Sequence, residues 1–103
     1  MILEVVILNV IPDKIDEFES SFLSAQKIIS SIKGYKWHEL QKCVEVTNRY
    51  ILLVRWETLE DHTVGFRLSD EYQEWKKLLH HFYDPFPTVE HYKVLTPIKE
   101  NLH

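Results

Sequence analysis

Residues 2–11 read ILEVVILNVI, a run in which apolar side chains fill both alternating faces. Successive strand residues point to opposite faces of a sheet, so Val6 and Leu8 share one face while Val5 and Ile7 share the other. The run is rich in β-branched residues and ends at Pro12. It is too short to span a bilayer and lacks the basic start and cleavage site of a signal peptide. We therefore predict a strand that is covered on both faces.

A helix is predicted directly after this strand. Apolar residues recur there at three- and four-residue steps along one stripe, namely Ile15, Phe18, Phe22, Ala25, Ile29 and Ile32. Asp13 is a suitable N-cap, because its carboxylate can accept the free N–H groups of the first turn. Gly34 stands where a residue of left-handed conformation would end the helix.

The remaining segments complete a recognisable order of elements. Residues 35–44, 49–57 and 89–95 have the composition of strands. A short helix within residues 59–68, bent near Gly65, precedes a longer helix that Ser69 or Asp70 can cap. The order β-α-β-β-α-β, with a split second helix, predicts a ferredoxin-like α+β fold with a four-stranded antiparallel sheet and strands one and three at its centre. We assign residues 1–95 to one domain and residues 96–103 to a C-terminal tail.

The first strand also predicts how the subunit assembles. One layer of helices covers only one face of such a sheet, whereas this strand is apolar on both. A twofold copy of the same sheet would cover the second face. We therefore expect a homodimer, packed sheet to sheet as an α+β barrel.

Composition narrows the classes of function. The chain has 103 residues, with 12 basic and 16 acidic side chains and a net charge of −4. Its Lys and Arg residues form no positive stripe, so we expect no nucleic-acid partner. A single cysteine, Cys43, excludes an internal disulfide and is most simply a reduced thiol in a cytoplasmic protein. Neither a glycine-rich phosphate loop nor a dinucleotide fingerprint is present. We expect no membrane partner and no nucleotide or flavin cofactor.

His62 is the first candidate for chemistry. It lies four residues before Phe66, so on a helix both side chains share a face that would lean over the end of the strand carrying Trp56. An imidazole against aromatic walls could act as a general base towards a bound phenol. The alternative is a half-exposed histidine on a surface helix.

Other polar and aromatic residues receive weaker roles. Tyr72 and Trp75 lie on one helical stripe, where they would belong to the core or cover a cleft. Asn9 is a polar residue in a central strand and must find hydrogen-bond partners, which include a ligand. Arg55 and Glu57 are expected to have a structural role, as an ion pair at the strand end, either within the subunit or across the dimer face. No spacing of histidines and carboxylates indicates a metal site. We expect His80 and His81 to meet solvent, the loop of residues 84–87 or the partner subunit rather than the core.

Several segments together resemble the antibiotic biosynthesis monooxygenase (ABM) family, over about residues 1–95. The resemblance is carried by the strand end Val54-Arg55-Trp56-Glu57-Thr58, the following helix with His62, the Phe66/Ser69-Asp70 spacing and the final strand Val89-Glu90-His91-Tyr92. It implies a dimeric α+β barrel with a substrate pocket between helices and sheet. It also implies oxygenation of aromatic polyketides or quinols by O2 without metal or cofactor. A related branch degrades haem, but its ligand positions match this chain poorly.

Individual site residues carry over unevenly. When a characterised member is aligned on Trp56, its active-site tyrosine falls on His62, its asparagine on Leu52 and its arginine on Lys76. His62 and Lys76 therefore keep a proton-handling and a cationic group at their positions, whereas Leu52 removes a hydrogen-bond donor.

The resulting hypothesis is a cofactor-independent monooxygenase in which His62 takes a phenolic proton and the substrate anion reacts with O2. Substrate binding is assigned to Trp56, Phe66, Tyr72, Trp75, Lys76 and Asn9. Alternatives on the same fold are a non-catalytic small-molecule binder or sensor, an isomerase that uses the same histidine, and a structural dimerisation module.

Overall fold

A four-stranded antiparallel sheet with two helices against one of its faces forms the structure, a computed structural model that describes residues 1–96. The elements are β1 (Ile2–Asn9), α1 (Ile15–Ile29), β2 (Tyr35–Lys42), β3 (Arg49–Trp56), α2 (Asp70–Leu79) and β4 (Val89–Lys93). The strands lie in the order β2-β3-β1-β4, so β1 and β3 are central. The predicted ferredoxin-like α+β fold is confirmed.

The second helix is split, as predicted. A π-helical turn spans Asp61–Phe66 and precedes α2. The Ser69 hydroxyl caps α2 by accepting the Tyr72 backbone N–H at 3.1 Å, and it also donates to the Phe66 carbonyl at 2.6 Å. One side chain thus joins the end of the π-turn to the start of α2, which fixes the direction in which the chain enters the helix.

Both ends of α1 differ from the prediction. Pro12–Lys14 form a 3-10 turn and α1 begins at Ile15, with no side-chain cap, so the prediction of Asp13 as N-cap is wrong. At the other end, the helix stops at Ile29 and is followed by Ser30. Gly34 does adopt the left-handed conformation, at φ 87°, but in the turn that leads into β2. Pro12 has a fixed φ angle that favours a tight turn. The α-helix therefore begins only after this turn.

The two faces of β1 have different surroundings. Its even positions point to the helices, where Val6, Leu8 and Val10 join the buried core. Its odd positions lie on the opposite face, where Ile7 is 51 % exposed and pairs with Ile51 of β3. Within residues 1–96, the helices cover only one side of the sheet. The open side therefore presents an apolar surface, as the two-sided pattern of β1 requires.

Within one subunit, the described residues form no ion pair between Arg55 and Glu57, and a pair across the dimer face stays a prediction. Glu57 follows the last residue of β3, and its backbone N–H donates to the Gly34 carbonyl at 2.7 Å. Its carboxylate lies 3.1 Å from the Lys36 ammonium instead. The chain has left the sheet by this point, so the alternation that places two residues on one strand face no longer applies.

None of the helices in the described part of the chain is long and apolar enough to cross a membrane. The tail assigned to residues 96–103 lies, except for Thr96, outside the described residues. The domain boundary therefore stays a prediction.

Candidate active site

A cavity of about 460 Å³ lies between α2 and the helix-facing side of the sheet. Its polar lining is Glu4, His62, Arg67, Tyr72, His80 and Tyr83, and its apolar lining includes Val6, Leu8, Leu52, Phe66, Trp75 and Phe86. The volume falls in the range of about 300–1,000 Å³ that is typical of small-molecule sites. Mixed aromatic and titratable walls make it the candidate active site.

A carboxylate lies at the inner end of this cavity. Glu4 is an even-numbered residue of β1, so its side chain points towards the helices, and it is only 5 % exposed. On the neighbouring strands it faces Val54 of β3 and His91 of β4. The Trp56 indole N–H donates to its Oε1 atom at 2.9 Å. This buried carboxyl is thus held by a neutral donor and lacks a close cation.

His62 lies directly against Glu4. The π-turn carries the imidazole inwards, and the ring stacks on Trp56 with 5.3 Å between centroids. Its Nε2 atom is 3.4 Å from Oε1 of Glu4, and its Nδ1 atom shares a hydrogen bond of 2.8 Å with Nε2 of His91. The side chain is 3 % exposed, so the alternative of a half-exposed surface histidine is wrong. The Nδ1 atom therefore has a hydrogen-bond partner, and the Nε2 atom faces the carboxyl of Glu4.

Burial shifts the pKa values of Glu4 and His62 in opposite directions. It raises the pKa of Glu4 to about 7, an effect that the Trp56 indole and the Arg67 charge partly offset. It lowers the pKa of His62 to about 3, and the charges of Arg67 and His91 act in the same direction. At neutral pH the imidazole is therefore neutral, while the carboxyl can bind or release a proton. A group that titrates near the working pH is suited to general acid–base catalysis.

The aromatic wall of the cavity is built from consecutive segments. Phe66, at the end of the π-turn, makes edge contacts with Tyr72 at 5.2 Å and Trp75 at 5.8 Å, both on α2. His80 follows α2 and contacts the Phe86 ring at 5.0 Å. His80 is half-buried against Phe86 of the segment 84–87, one of the surroundings that the sequence predicted for it. These rings form a slot suited to a flat substrate.

The structure separates the residues that the sequence grouped as a substrate site. His62, Phe66, Tyr72 and Trp75 line the cavity together. Trp56 is fully buried behind His62, and Lys76 is exposed outside the lining. Asn9 lies on the opposite face of the sheet, where its Oδ1 atom accepts from Arg49 at 3.2 Å. The placement of Asn9 in the substrate site is therefore wrong, because odd positions of β1 face away from the helices.

Sequence reasoning missed the polar lining residues Glu4, Arg67, His80 and Tyr83, and also His91 behind His62. A signal existed for Glu4, since a lone carboxylate within an apolar strand must be paired or neutral when buried. His91 needed the register between β1 and β4, which the sequence does not contain. No group of three or more possible metal ligands occurs in the part of the chain that the structure describes.

A second groove of about 700 Å³ lies between α1 and β2, but its polar groups satisfy each other. Glu19 accepts from the Tyr50 hydroxyl and pairs with Lys42 at 3.1 Å. His38 bonds to Gln26 through Nε2 at 2.9 Å, and its other ring nitrogen contacts Tyr35. The first cavity is the better candidate because its titratable pair is buried and unneutralised.

Comparison with known proteins assigns the chain to a family. The sequence model described as antibiotic biosynthesis monooxygenase, ABM, matches residues 1–78. The chain belongs to the ABM family. The matched segment includes Glu4, His62, Phe66, Arg67 and Trp75, whereas His80, Tyr83 and His91 lie beyond it.

Relatives of this family share the whole fold. The uncharacterised protein YczJ of Bacillus subtilis (strain 168) is 58 % identical over 93 residues, which cover 90 % of this chain and 98 % of YczJ. A Bordetella bronchiseptica structure that carries the family name has a TM-score of 0.87 at 32 % identity, covering 92 % of this chain and 97 % of that one. SnoaB of Streptomyces nogalater, a cofactor-independent oxygenase, has a TM-score of 0.70 at 18 % identity, with 97 % and 96 % covered. At that identity the likeness to SnoaB shows the fold alone.

Proposed function

We propose that this ABM-family protein is a cofactor-independent monooxygenase of small hydroxyaromatic substrates, with the Glu4–His62 pair as its acid–base group. For a quinol, the balanced change is quinol plus O2 giving hydroxyquinone plus water. One oxygen atom forms the new C–O bond and the other leaves as water, while the substrate supplies all four electrons. We expect the enzyme to work in the cytoplasm.

The observation that carries the proposal is a buried carboxyl with a pKa of about 7 at the end of an aromatic-walled cavity. O2 reacts with electron-rich phenolate or quinolate anions far more readily than with the neutral phenols. A protein that removes the phenolic proton in a dry cavity therefore supplies most of what this chemistry requires.

The geometry revises the part played by His62. Its pKa of about 3 makes the isolated imidazole a weak base, and its Nδ1 atom already shares a hydrogen bond with His91. Glu4 is the better acceptor for the phenolic proton. His62 holds the carboxyl in position and links it to His91, a half-buried residue through which the proton can return to solvent. His62→Ala is expected to slow turnover, but by less than Glu4→Gln does, because it leaves the base itself in place.

Aerobic turnover of a panel of quinols tests the function. We expect O2 uptake that requires Glu4 and a product that contains one atom of heavy oxygen when labelled O2 is supplied. The mass of the product separates oxygenation from isomerisation, which adds no oxygen. Wild-type protein that binds quinols but consumes no O2 would contradict the proposal.

A non-catalytic binder or sensor is the second candidate function. Leu52 lines the cavity at the position where the aligned family member has an asparagine, so one hydrogen-bond donor is missing from the wall. Saturable binding without O2 consumption, unchanged by Glu4→Gln, would favour this alternative.

The working unit is proposed to be a homodimer that buries the open face of the sheet. Apolar pairs cross this face, with Val5 opposite Leu53 and Ile7 opposite Ile51. A charge placed there should prevent sheet-to-sheet packing while leaving the core intact. We expect Ile7→Lys to be monomeric by light scattering where the wild type is dimeric; a dimeric Ile7→Lys protein would argue against this interface.

A further inference from the structure

We propose that the cavity binds aromatic substrates that carry a carboxylate, and that the Arg67 guanidinium holds that carboxylate. The inference rests on the proposed function only in taking this cavity as the substrate site. It adds the charge of the substrate, which neither the family nor its relatives specify.

Arg67 is placed by the turn that carries His62. Its backbone N–H donates to the His62 carbonyl at 3.1 Å, which closes the π-turn, and its side chain then lines the mouth of the cavity. No salt bridge within residues 1–96 engages it. Lys76, the cation that the sequence favoured, is exposed outside the lining. Arg67 is thus the permanently charged side chain of the cavity, and its planar fork matches a carboxylate.

The other titratable groups at the cavity leave this charge without a counterion below neutral pH. They are Glu4, His62, Tyr72, His80 and Tyr83 in the lining and His91 behind His62. Burial lowers the pKa of the histidines His62, His80 and His91 and raises that of Glu4, which favours their neutral forms. Burial also raises the pKa of Tyr83. A substrate carboxylate would neutralise Arg67. An ionised Glu4 would repel that substrate carboxylate.

The positions of the groups also fit one flat ligand. Phe66 is buried and Arg67, the next residue, is exposed, yet both line the cavity, so an apolar wall and a cation border the same space. An aromatic acid can place its ring against Phe66 and Trp75, its carboxylate at Arg67 and its hydroxyl towards Glu4.

Anaerobic binding of a matched pair of probes tests the inference. The probes are 2,5-dihydroxybenzoate and its neutral amide, 2,5-dihydroxybenzamide, measured by calorimetry below neutral pH. We expect the acid to bind about tenfold more tightly than the amide, the lower range for a hydrogen bond to a charged group. Arg67→Gln should remove the preference and Arg67→Lys should keep part of it. Lys77→Gln, which deletes an exposed surface charge, is the matched control and should behave as wild type.

The dependence on pH gives a second readout. The affinity for the acid should fall as the pH rises through about 7, because Glu4 then ionises, while the affinity for the amide should not. Glu4→Gln should remove this difference. Equal affinities for acid and amide, a preference that survives Arg67→Gln, or binding of neither probe would overturn the inference. Because binding is measured without O2, a preference for the acid in a protein that never consumes O2 would contradict the oxygenase proposal alone.

Discussion

Two glutamates, Glu4 of β1 and Glu19 of α1, have pKa values that are shifted in opposite directions. Glu4 is buried, accepts from a neutral indole, and has its pKa raised to about 7. Glu19 is at the surface, and hydrogen bonds from Tyr50 and Lys42 lower its pKa. Sequence composition treats the two alike. Burial and the partner's charge, rather than residue type, decide which carboxyl can exchange a proton at neutral pH.

The largest expected difference between them is in turnover. Glu4→Gln keeps the shape of the side chain but removes the group that takes the proton, so we expect kcat for quinol oxidation to fall at least about a hundredfold. Glu19→Gln should leave kcat unchanged. O2 uptake with both variants, and circular dichroism to confirm folding, provides the measurement. Comparable activity of Glu4→Gln and wild type would remove Glu4 from the acid–base role.

Stability against pH should separate the two carboxyls next. The folded-state pKa of Glu4 is raised from 4.5, so unfolded chains lose this proton first and its contribution to stability falls as the pH rises from about 4.5 to 7. The difference in unfolding free energy between wild type and Glu4→Gln should therefore change by roughly 2 kcal/mol across that window. Glu19 has a lowered pKa, so its contribution is lost in acid instead.

Urea unfolding at several pH values checks this sign. Comparison with Glu4→Gln is needed because His62, neutral when folded, becomes destabilising as the pH falls below its ordinary 6.5. A wild type that gained stability relative to Glu4→Gln as the pH rose would contradict the assignment.

A smaller effect is expected from a change at Trp56, whose indole N–H donates to Glu4. Trp56→Phe keeps a ring beneath His62 but removes the N–H that favours the ionised carboxyl. The pKa of Glu4 should rise by about one unit, the equivalent of a lost hydrogen bond to a charged group. The acidic limb of the pH–rate profile should move to higher pH by that amount. An unshifted profile would show that the indole does not tune the carboxyl.

The smallest effect concerns the surface pair. Tyr50→Phe deletes the hydroxyl that donates to Glu19 and should cost about 1 kcal/mol of unfolding free energy, a typical hydrogen-bond contribution. Quinol turnover should not change. Loss of turnover in this variant would indicate that the groove between α1 and β2 takes part in function.

Much of the fold was predictable because each element has a local signal. The β-branched apolar run of β1, the strand composition of β3, the apolar stripes of the helices and the Ser69 cap each depend on a few neighbouring residues. The helical spacing of His62 and Phe66 also placed both in one cavity, as expected from residues four apart.

The rest of the site depends on contacts between distant segments. Both faces of β1 are apolar, so the sequence did not show which one meets the helices, and Asn9 was favoured while Glu4 was overlooked. His91 reaches His62 only through the register of β4. Lys76 was assigned to the substrate site by alignment with a characterised family member. In the structure, the π-turn brings Arg67 to the cavity instead.

The number of residues in the π-turn is itself a determinant of the site's geometry. The Arg67 N–H reaches back five residues to the His62 carbonyl, one more than in an α-helix. Deletion of exposed Val64 or Gly65 would leave every wall residue in the sequence, yet tighten the turn and shift Phe66 and Arg67 relative to His62. Among relatives, insertions and deletions between positions 61 and 67 should therefore separate functional groups better than substitutions at the same exposed positions.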